Sequence, residues 1–420
     1  MTRRALIAGG GIGGLAAALA ATRAGWEVRL HERASAFSEV GAGVQLGPNV
    51  VRLLQAWGLQ SALEQVAFSP ERLVVRDALS GRELGVLPLG QRALHKYGSP
   101  YLTIHRADLH ALLLQAVQVQ GQASLTLNSA LSSYVDNGRE VILQAGPAGP
   151  SVAPAPVMEI KGDVLVGADG LWSQVRQQML NDAPPRVTGH LAYRATLPQT
   201  SLPARLRSQH VTVWLGPRLH VVHYPVRSGE WLNVVAIVHG QVAGDRQSWD
   251  HHANGADLQD ATGCTAQLLR DLIQAVTDGA SQHGSSWRLW PLCDRPPMSG
   301  AHQQAQGCVA LLGDAAHPMR PYLAQGAGMA IEDAAELGSA LARVQAPVAD
   351  VPAMLQRYAL NRWQRNARVQ ARSVQNGRIF HAQGPLRWAR DASMKLLGEK
   401  LLDMPWLYAG AVPWGVKSRT

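Results

Sequence analysis

The sequence predicts an α/β fold in which a parallel-sheet domain is interleaved with a second, β-sheet domain and followed by C-terminal helices. Three observations predict it. Residues 5–24 read as an apolar strand, a glycine-rich turn and an alanine-rich helix. Strand–turn–helix patterns return after residues 163 and 309. Between them, residues 187–238 alternate apolar and polar side chains, which is typical of strands with one face on a core.

Length and composition indicate a globular protein with more than one domain. The chain has 420 residues, of which 46% are hydrophobic and 16% charged, so it can bury a core. The net charge is +9, but no long Lys/Arg block provides the clustered charge that nucleic acid requires. The three cysteines, Cys264, Cys293 and Cys308, form no CxxC pair. They exclude a disulfide framework and a zinc ribbon, and they fit a reducing cytoplasm.

The N-terminal stretch resembles a signal peptide or a short membrane span. Residues Ala5–Thr22 carry no charge and follow Arg3 and Arg4. Five glycines between residues 9 and 14 would weaken an apolar helix, and the stretch continues directly into an alternating strand at residues 27–32. We therefore expect a cytoplasmic protein without a membrane segment.

The glycine turn predicts a dinucleotide site. Gly9, Gly11 and Gly14 form a GxGxxG motif between a strand and a helix, where such glycines allow a tight turn, approach of a pyrophosphate and close helix packing. Glu32 follows Gly14 by 18 residues at the end of the second strand. A carboxylate there accepts hydrogen bonds from an unphosphorylated ribose, which favours FAD or NAD over NADP. A glycine turn without a ligand is the alternative.

Two later segments repeat this chemistry. The runs DVLVGADGLWSQVR (163–176) and VALLGDAAHP (309–318) each end a strand in an acid beside a glycine, Asp169 and Asp314. An acid at that position can reach sugar hydroxyls. The intervening β-rich segment interrupts the regular βαβ pattern of an NAD dehydrogenase, which leaves FAD as the favoured dinucleotide.

These three segments resemble the three fingerprints of single-component FAD-dependent aromatic hydroxylases, and the resemblance covers most of residues 1–390. GAGVQLGPN (41–49), YLTIHRADLHALL (101–113) and GDAAHPMRPYLAQGAGMAIEDA (313–334) are similar to the branch that contains salicylate 1-hydroxylase, 3-hydroxybenzoate 6-hydroxylase and 6-hydroxynicotinate 3-monooxygenase. The sequence alone does not choose among these members.

The resemblance implies an enzyme that uses FAD, NADH or NADPH, and O2. It would hydroxylate a small phenolic or hydroxylated heteroaromatic acid through a flavin C4a-hydroperoxide, with decarboxylation where the carboxylate sits on the attacked carbon. We expect a FAD-binding domain at residues 1–73, 102–185 and 293–341, a substrate domain at 74–101 and 186–292, and a C-terminal helical region at 342–420. A monomer or homodimer is expected.

The resemblance also assigns cofactor contacts. Glu32 would bind the adenosine ribose, Asp314 the ribityl chain, and Arg106 the FAD; the alternative for Arg106 is a surface pair with Asp108. Asp169 would support the cofactor, and it is equally suited to cap a helix. A helix opening at residues 326–328 would place its positive end near the flavin. The expected cofactor positions are Gly9, Gly11, Ile12, Gly13, Gly14, Glu32, Arg33, Arg106, Asp169, Asp314, Gly326, Ala327 and Gly328.

The expected substrate site contains a base, because a phenolate ring is attacked more readily than a phenol. His220 and Tyr224 lie four apart on a predicted strand and therefore share a face. We expect His220 to be the base, with a pKa near the working pH, and Tyr224 to bind substrate; a structural strand histidine is the alternative. His223 points to the other face, so no metal is expected. Gln45 and Pro321 are further expected substrate contacts. The resemblance to 3-hydroxybenzoate 6-hydroxylase implies glutamine in place of Pro321, and the resemblance to the hydroxynicotinate enzymes implies histidine in place of Gln45, so the sequence departs from each at one position.

The remaining features leave several alternatives. Arg194 and Arg320 are candidate partners for a substrate carboxylate. Arginines at helical spacing, Arg357, Arg362, Arg365, Arg368 and Arg372, predict a solvated face. The aromatic tail at 404–415 either packs on a neighbouring subunit or docks on its own chain. A flavin-dependent oxidase or halogenase, and a non-catalytic carrier with the same FAD fold, are the rival functions.

Overall fold

A computed structural model of the protein describes residues 3–37, 42–148, 157–241, 251–253, 255–282, 287–342 and 350–410. The strands are β1 (Arg4–Ala8), β2 (Glu27–His31), β3 (Gly43–Leu46), β4 (Arg72–Asp77), β5 (Glu83–Pro88), β6 (Leu102–His105), β7 (Ala123–Thr126), β8 (Ala130–Asp136), β9 (Val141–Gly146), β10 (Met158–Gly162), β11 (Val164–Gly167), β12 (Arg186–Pro198), β13 (Val211–Gly216), β14 (Leu219–Val226), β15 (Trp231–His239), β16 (His251–His252), β17 (Arg288–Asp294), β18 (Ala305–Gln306) and β19 (Val309–Leu311).

The helices are α1 (Ile12–Arg23), α2 (Pro48–Ala56), α3 (Gln60–Val66), α4 (Gly90–Tyr97), α5 (Arg106–Gln120), α6 (Gln174–Leu180), α7 (Gly255–Thr262), α8 (Gln267–Gln282), α9 (Gly326–Ala342), α10 (Val351–Phe380), α11 (Gly384–Leu397), α12 (Glu399–Leu402) and α13 (Pro405–Tyr408).

A six-stranded sheet in the order β18-β19-β11-β1-β2-β7 carries the glycine turn. All of its neighbouring strands are parallel except β18. Residues 5–8 and 164–167 are apolar or glycine and buried, as a parallel sheet covered on both faces requires. β1 lies between β2 and β11, so the carboxyl ends of these strands open on the crevice where such sheets bind ligands.

The uncharged N-terminal stretch is β1 and α1 of this sheet. α1 packs against α9 and α5, and its alanines are buried. Among the described residues, no helix has the length and apolar character needed to cross a membrane.

An eight-stranded sheet, β16-β17-β12-β15-β14-β13-β4-β5, forms the second layer of the molecule. Its strands come from residues 72–88 and 186–294, and all neighbours are antiparallel except β13 and β4. One face packs on α7 and α8. The other face packs Val213 and Tyr224 against Leu323, Met329 and Val369 of the nucleotide domain and α10. We call this second face the inner face.

The helical spacing predicts solvated arginines along α10, but two of them are not solvated. Arg362 is buried and contacts Glu332 at 2.8 Å and Asp333 at 2.7 Å. Arg365 is half-buried and reaches Glu332 at 2.6 Å. The prediction was wrong for these two because α9 buries a pair of carboxylates, and a buried carboxylate needs a paired cation. The other three arginines, Arg357, Arg368 and Arg372, are exposed or half-buried.

The C-terminal segment docks on its own chain over residues 404–410. Leu407 and Tyr408 are buried, and the Tyr408 ring stands edge-on to Tyr97 and Tyr101. Of the two alternatives for the tail, docking within the chain is therefore found; residues 411–415 lie outside the described residues.

Candidate active site

The glycine turn is held against the carboxyl end of β11. Gly9 adopts φ +102°, and a Cβ added there would lie 2.5 Å from the Ala168 carbonyl oxygen. A Cβ on Gly14 would lie 1.9 Å from the Gly9 oxygen. Side chains at these positions cannot fit. α1 begins at Ile12 with no side-chain cap, and the start of a helix in this state is suited to bind an anion.

A cavity of about 490 Å³ lies beside this turn. It is lined by Gly9, Gly11, Glu32, Arg33 and Asp169, among others. Glu32 accepts hydrogen bonds from the backbone N–H groups of Gly10 at 2.6 Å and Ala34 at 2.8 Å. The carboxylate is therefore fixed at the cavity wall, where it could accept hydrogen bonds from ribose hydroxyls.

Asp169 caps α6 in this structure. Its carboxylate accepts hydrogen bonds from the Ser173 hydroxyl at 2.5 Å and from the N–H groups of Gln174 at 2.8 Å and Val175 at 3.2 Å. Burial raises the pKa of Asp169, and these hydrogen bonds act against that shift. The capping role is thus found, and the same residue also lines the cavity.

Asp314 stands at the end of β19 where two helices begin. Its side chain is exposed, and it accepts no hydrogen bond from the described residues. Burial raises its pKa, while His317 and Arg106 act in the opposite direction. A Cβ on Gly13 would meet Leu312 at 2.8 Å and Ala330 at 3.4 Å. The starts of α1 and α9 therefore converge on this strand end, and α9 also contacts residues 313–315.

The alternative for Arg106, a surface pair with Asp108, is not found. Its neighbour Asp108 instead faces Arg227 at 3.2 Å. The half-buried Arg106 lies near enough to both Asp314 and Arg194 to change their pKa values. It therefore sits between the nucleotide domain and the inner face of the eight-stranded sheet.

Predicted substrate contacts surround Tyr224 at one end of the inner face. The ring of Tyr224 packs on Gly43, where an added Cβ would approach it to 2.5 Å. Gln45 is buried, accepts a hydrogen bond from Tyr101 at 2.6 Å, and donates to Tyr224. Burial raises the pKa of Tyr224, which keeps its hydroxyl protonated as a donor.

A row of accessible residues crosses the inner face between Tyr224 and His220. Val222 pairs with Val235, which pairs with Arg194, so the three point to one side. All three are half-buried, whereas Ala192 and Ile237, two positions nearer to His220, are buried. The row is therefore accessible on the inner face, and it offers two apolar side chains and one cation.

Arg194 lacks an ion-pair partner within the described ranges. Its Nε is buried without a hydrogen bond, and its guanidinium stacks 4.6 Å from the centre of the Trp290 ring. Burial lowers its pKa to about 10. Arg320, the other candidate cation, is bound to Asp294 at 2.8 Å. Of the two arginines named from the sequence, only Arg194 is available to an anionic ligand.

His220 lies at the opposite end of the inner face from Tyr224. It is buried, and its Nδ1 lies 2.8 Å from Nε2 of His381. Its ring is 5.0 Å from that of Tyr322, which follows the half-buried Pro321. Burial, helped by His190, lowers the pKa of His220 to about 3. The expected pKa near the working pH is therefore not found, because no carboxylate among the described residues offsets the burial of this ring.

Three histidines missed by the sequence analysis surround His220: His190, His239 and His381. His190 pairs with His239 across two strands, and their rings stack at 4.4 Å. His381 enters from the end of α10. The only local signal was the abundance of histidine, because their meeting depends on strand register and helix length.

Comparisons with known proteins identify the family. The chain matches the FAD binding domain family over residues 2–373. It is 38% identical over 410 residues to 3-hydroxybenzoate 6-hydroxylase of Polaromonas naphthalenivorans (strain CJ2), covering 96% of this chain and 95% of that protein. It is 35% identical over 377 residues to 6-hydroxynicotinate 3-monooxygenase of Bordetella bronchiseptica (strain ATCC BAA-588 / NCTC 13252 / RB50), covering 89% and 91%.

A solved structure agrees. A salicylate hydroxylase substrate complex aligns with a TM-score of 0.78 and 26% identity, covering 98% of this chain and 96% of that one. None of these names supports an oxidase, a halogenase or a non-catalytic carrier. The chain therefore belongs to the FAD-dependent aromatic monooxygenases, which use FAD, NAD(P)H and O2.

Proposed function

We propose that the chain hydroxylates a single-ring phenolic acid bound on the row formed by Val222, Val235 and Arg194. The carboxylate pairs with Arg194, the ring covers the two valines, and the hydroxyl faces His220. The observation that carries this proposal is the unpaired, partly buried guanidinium of Arg194 beside apolar side chains. Three of the relatives are named 3-hydroxybenzoate 6-hydroxylase, which makes a hydroxybenzoate the first substrate to test.

Spacing along the sheet supports one aromatic ring. His220 and Tyr224 each lie two residues from the row on β14, which is about 7 Å along a strand. A single ring carrying a carboxylate and a hydroxyl fits within that length, whereas two fused rings would run into the buried Ala192 and Ile237. The same spacing allows Tyr224 and Gln45 to donate to the carboxylate end.

His220 acts as the base in this proposal. A neutral imidazole accepts the phenol proton at Nε2, and the lowered pKa keeps His220 neutral before substrate arrives. Removal of the phenol proton leaves a negative charge on the substrate oxygen beside the ring, and that charge favours the protonated imidazole. Removing the phenol proton makes the ring electron-rich, which electrophilic hydroxylation needs.

The residues around the glycine turn fit FAD. Glu32 would accept hydrogen bonds from the adenosine ribose, the start of α1 would face the pyrophosphate, and Asp314 would bind the ribityl chain. These residues would hold a FAD that supplies hydride acceptance from NAD(P)H and activation of O2. The start of α9, at Gly326–Gly328, would favour negative charge on the reduced flavin through its helix dipole.

A screen of aromatic acids tests the function. NADH and NADPH consumption would be measured with 3-hydroxybenzoate, salicylate, 6-hydroxynicotinate and 3-hydroxy-2-naphthoate, and products identified by mass spectrometry. We expect turnover with at least one single-ring acid and none with the naphthoate. No stimulation by any single-ring acid would refute the proposal.

The coupling of NADH oxidation to hydroxylation tests the role of His220 as the base. In His220→Ala, hydroxylation should slow by about 10²-fold, within the range for general-base catalysis, while NADH oxidation falls less and hydrogen peroxide release rises. Unchanged coupling would remove His220 from the mechanism. His223→Gln is the matched control, because His223 is buried on the outer face of the same strand.

We also propose that the protein is cytoplasmic and that it is a monomer or a homodimer. The three cysteines form no disulfide with one another, which supports a reducing compartment. Size-exclusion chromatography with light scattering measures the oligomeric state.

A further inference from the structure

Three imidazoles form a continuous hydrogen-bonded chain from the inner face to the protein surface. His220 Nδ1 lies 2.8 Å from His381 Nε2, and His381 Nδ1 lies 2.9 Å from His239 Nε2. His220 and His381 are buried, whereas His239 is exposed. The chain therefore connects a buried ring with solvent through side chains alone.

The fold fixes this chain from three elements. His220 pairs with Ile237 on β15, so His239 stands two residues further along the same face. His381 caps the C-terminal end of α10, and its carbonyl accepts a hydrogen bond from the Arg218 N–H. The stacked His190 supports the His239 ring from the neighbouring strand.

We propose that His220, His381 and His239 form a proton relay that carries the substrate's hydroxyl proton to solvent and returns a proton to the product. This inference rests on the proposed role of His220 as the base. It assigns positioning and proton-transfer roles to two residues that do not touch the aromatic ring.

The proton balance is closed. The substrate oxygen gives its proton to Nε2 of His220, and Nδ1–H of His220 passes its proton to Nε2 of His381. Nδ1–H of His381 passes one to Nε2 of His239, and Nδ1–H of His239 releases one to water. One proton enters and one leaves, and each ring has exchanged its tautomer. Reprotonation of the product oxygen by the reverse path restores the starting tautomers.

The surroundings keep the relay neutral. Burial lowers the pKa of His220 and of His381, and it also lowers that of His239, where Arg218 contributes. The other groups that face the chain are His190, Tyr322, Arg320 and Asp294. A neutral chain transmits a proton without storing it, whereas a protonated His381 would block the path.

The same cluster has the spacing of a metal site, which is the competing interpretation. Ring nitrogens of His190, His239 and His381 lie within 4.8 Å of one another. The relay is favoured because both nitrogens of His381 already take part in hydrogen bonds. In addition, Nδ1 of His190 bonds the Tyr322 hydroxyl, so a metal would have to break at least one of these contacts.

Chemical rescue tests the relay. Oxidised holoenzyme without NADH is mixed with 3-hydroxybenzoate in a stopped-flow instrument, and phenolate absorbance and proton release to a pH dye are followed. We expect His239→Ala to slow phenolate formation by about tenfold or more in dilute buffer, and added imidazole to restore the rate in proportion to its concentration. Wild type and His223→Gln should not depend on buffer concentration.

The outcomes separate this proposal from the one on which it rests. No phenolate in the wild type would overturn the base and the relay together. Fast phenolate formation in His239→Ala, or a slow rate that imidazole leaves unchanged, would overturn the relay alone. His381→Phe should slow the reaction without rescue by buffer. If the purified protein contained one equivalent of a transition metal, the histidines would be metal ligands and the relay would be overturned.

Discussion

Replacing Arg194 with glutamine tests how the substrate acid is held. Glutamine keeps hydrogen-bond donors but removes the charge. A charge-assisted hydrogen bond contributes about 1.5–3 kcal/mol, and the half-buried position of Arg194 places it near the middle of that range. A loss of about 2 kcal/mol corresponds to roughly thirtyfold weaker binding. Hydroxylation chemistry should change less than affinity, because Arg194 does not face the reacting hydroxyl.

The assay measures the dissociation constant of 3-hydroxybenzoate by flavin absorbance in the oxidised holoenzyme, and compares it with that of neutral 3-hydroxybenzamide. In Arg194→Gln the dissociation constant of the acid should rise about thirtyfold, while that of the amide should change little. Arg186→Gln is the control, because Arg186 lies on the same strand but is largely exposed and pairs with Asp294. Equal weakening of acid and amide would show that Arg194 shapes the pocket and does not bind the carboxylate.

The remaining predictions concern the cofactor and stability. Gly14→Ala should purify largely without FAD, since its Cβ would lie 1.9 Å from a backbone oxygen; a normal flavin-to-protein absorbance ratio would contradict this. Arg362→Leu should lower the free energy of unfolding by about 3 kcal/mol, because Glu332 then keeps only Arg365, and Asp333 only His317, as a basic partner. The exposed Arg357→Leu should change it little; urea titration measures both. The buried His220 and His381 have pKa values lowered by burial, so the unfolded chain binds more protons below about pH 6.5. Stability should be complete above that pH and fall below it, by up to about 1.4 kcal/mol per pH unit for each histidine. Melting temperatures measured from pH 8 to pH 5 test this. The double variant His220→Gln, His381→Gln should show a smaller fall in melting temperature as the pH is lowered.

The nucleotide site could be predicted because its signals are local. A strand, a turn that only glycine can form, and a helix start are adjacent in sequence, and each has its own pattern. The positive φ of Gly9 and the contact between Gly14 and Gly9 are consequences of that pattern. Asp169 and Asp314 could be found in the same way, since each ends a buried strand beside a glycine.

The histidine chain could not be predicted, because it depends on distances that a pattern does not record. Alternation assigns His220 and His239 to faces of their own strands, but the register between β14 and β15 brings them together. His381 reaches them only because α10 extends to residue 380 before it ends. The same limit explains the pKa of His220: the sequence shows a histidine on a strand, but not that the groups around it lack a carboxylate.

Register also explains why Arg194 is a better candidate than Arg320. Both arginines lie near predicted site segments, and the sequence pattern gives no reason to prefer one of them. On the sheet, Arg194 stands in the accessible row with Val222 and Val235, whereas Arg320 neutralises Asp294 beside β17. A cation already paired with a buried carboxylate has little left to offer a substrate, because separating the pair would leave that carboxylate unpaired. The assignment of substrate contacts in this chain therefore depends on which charges the fold has already matched, and only the arrangement of strands reveals that.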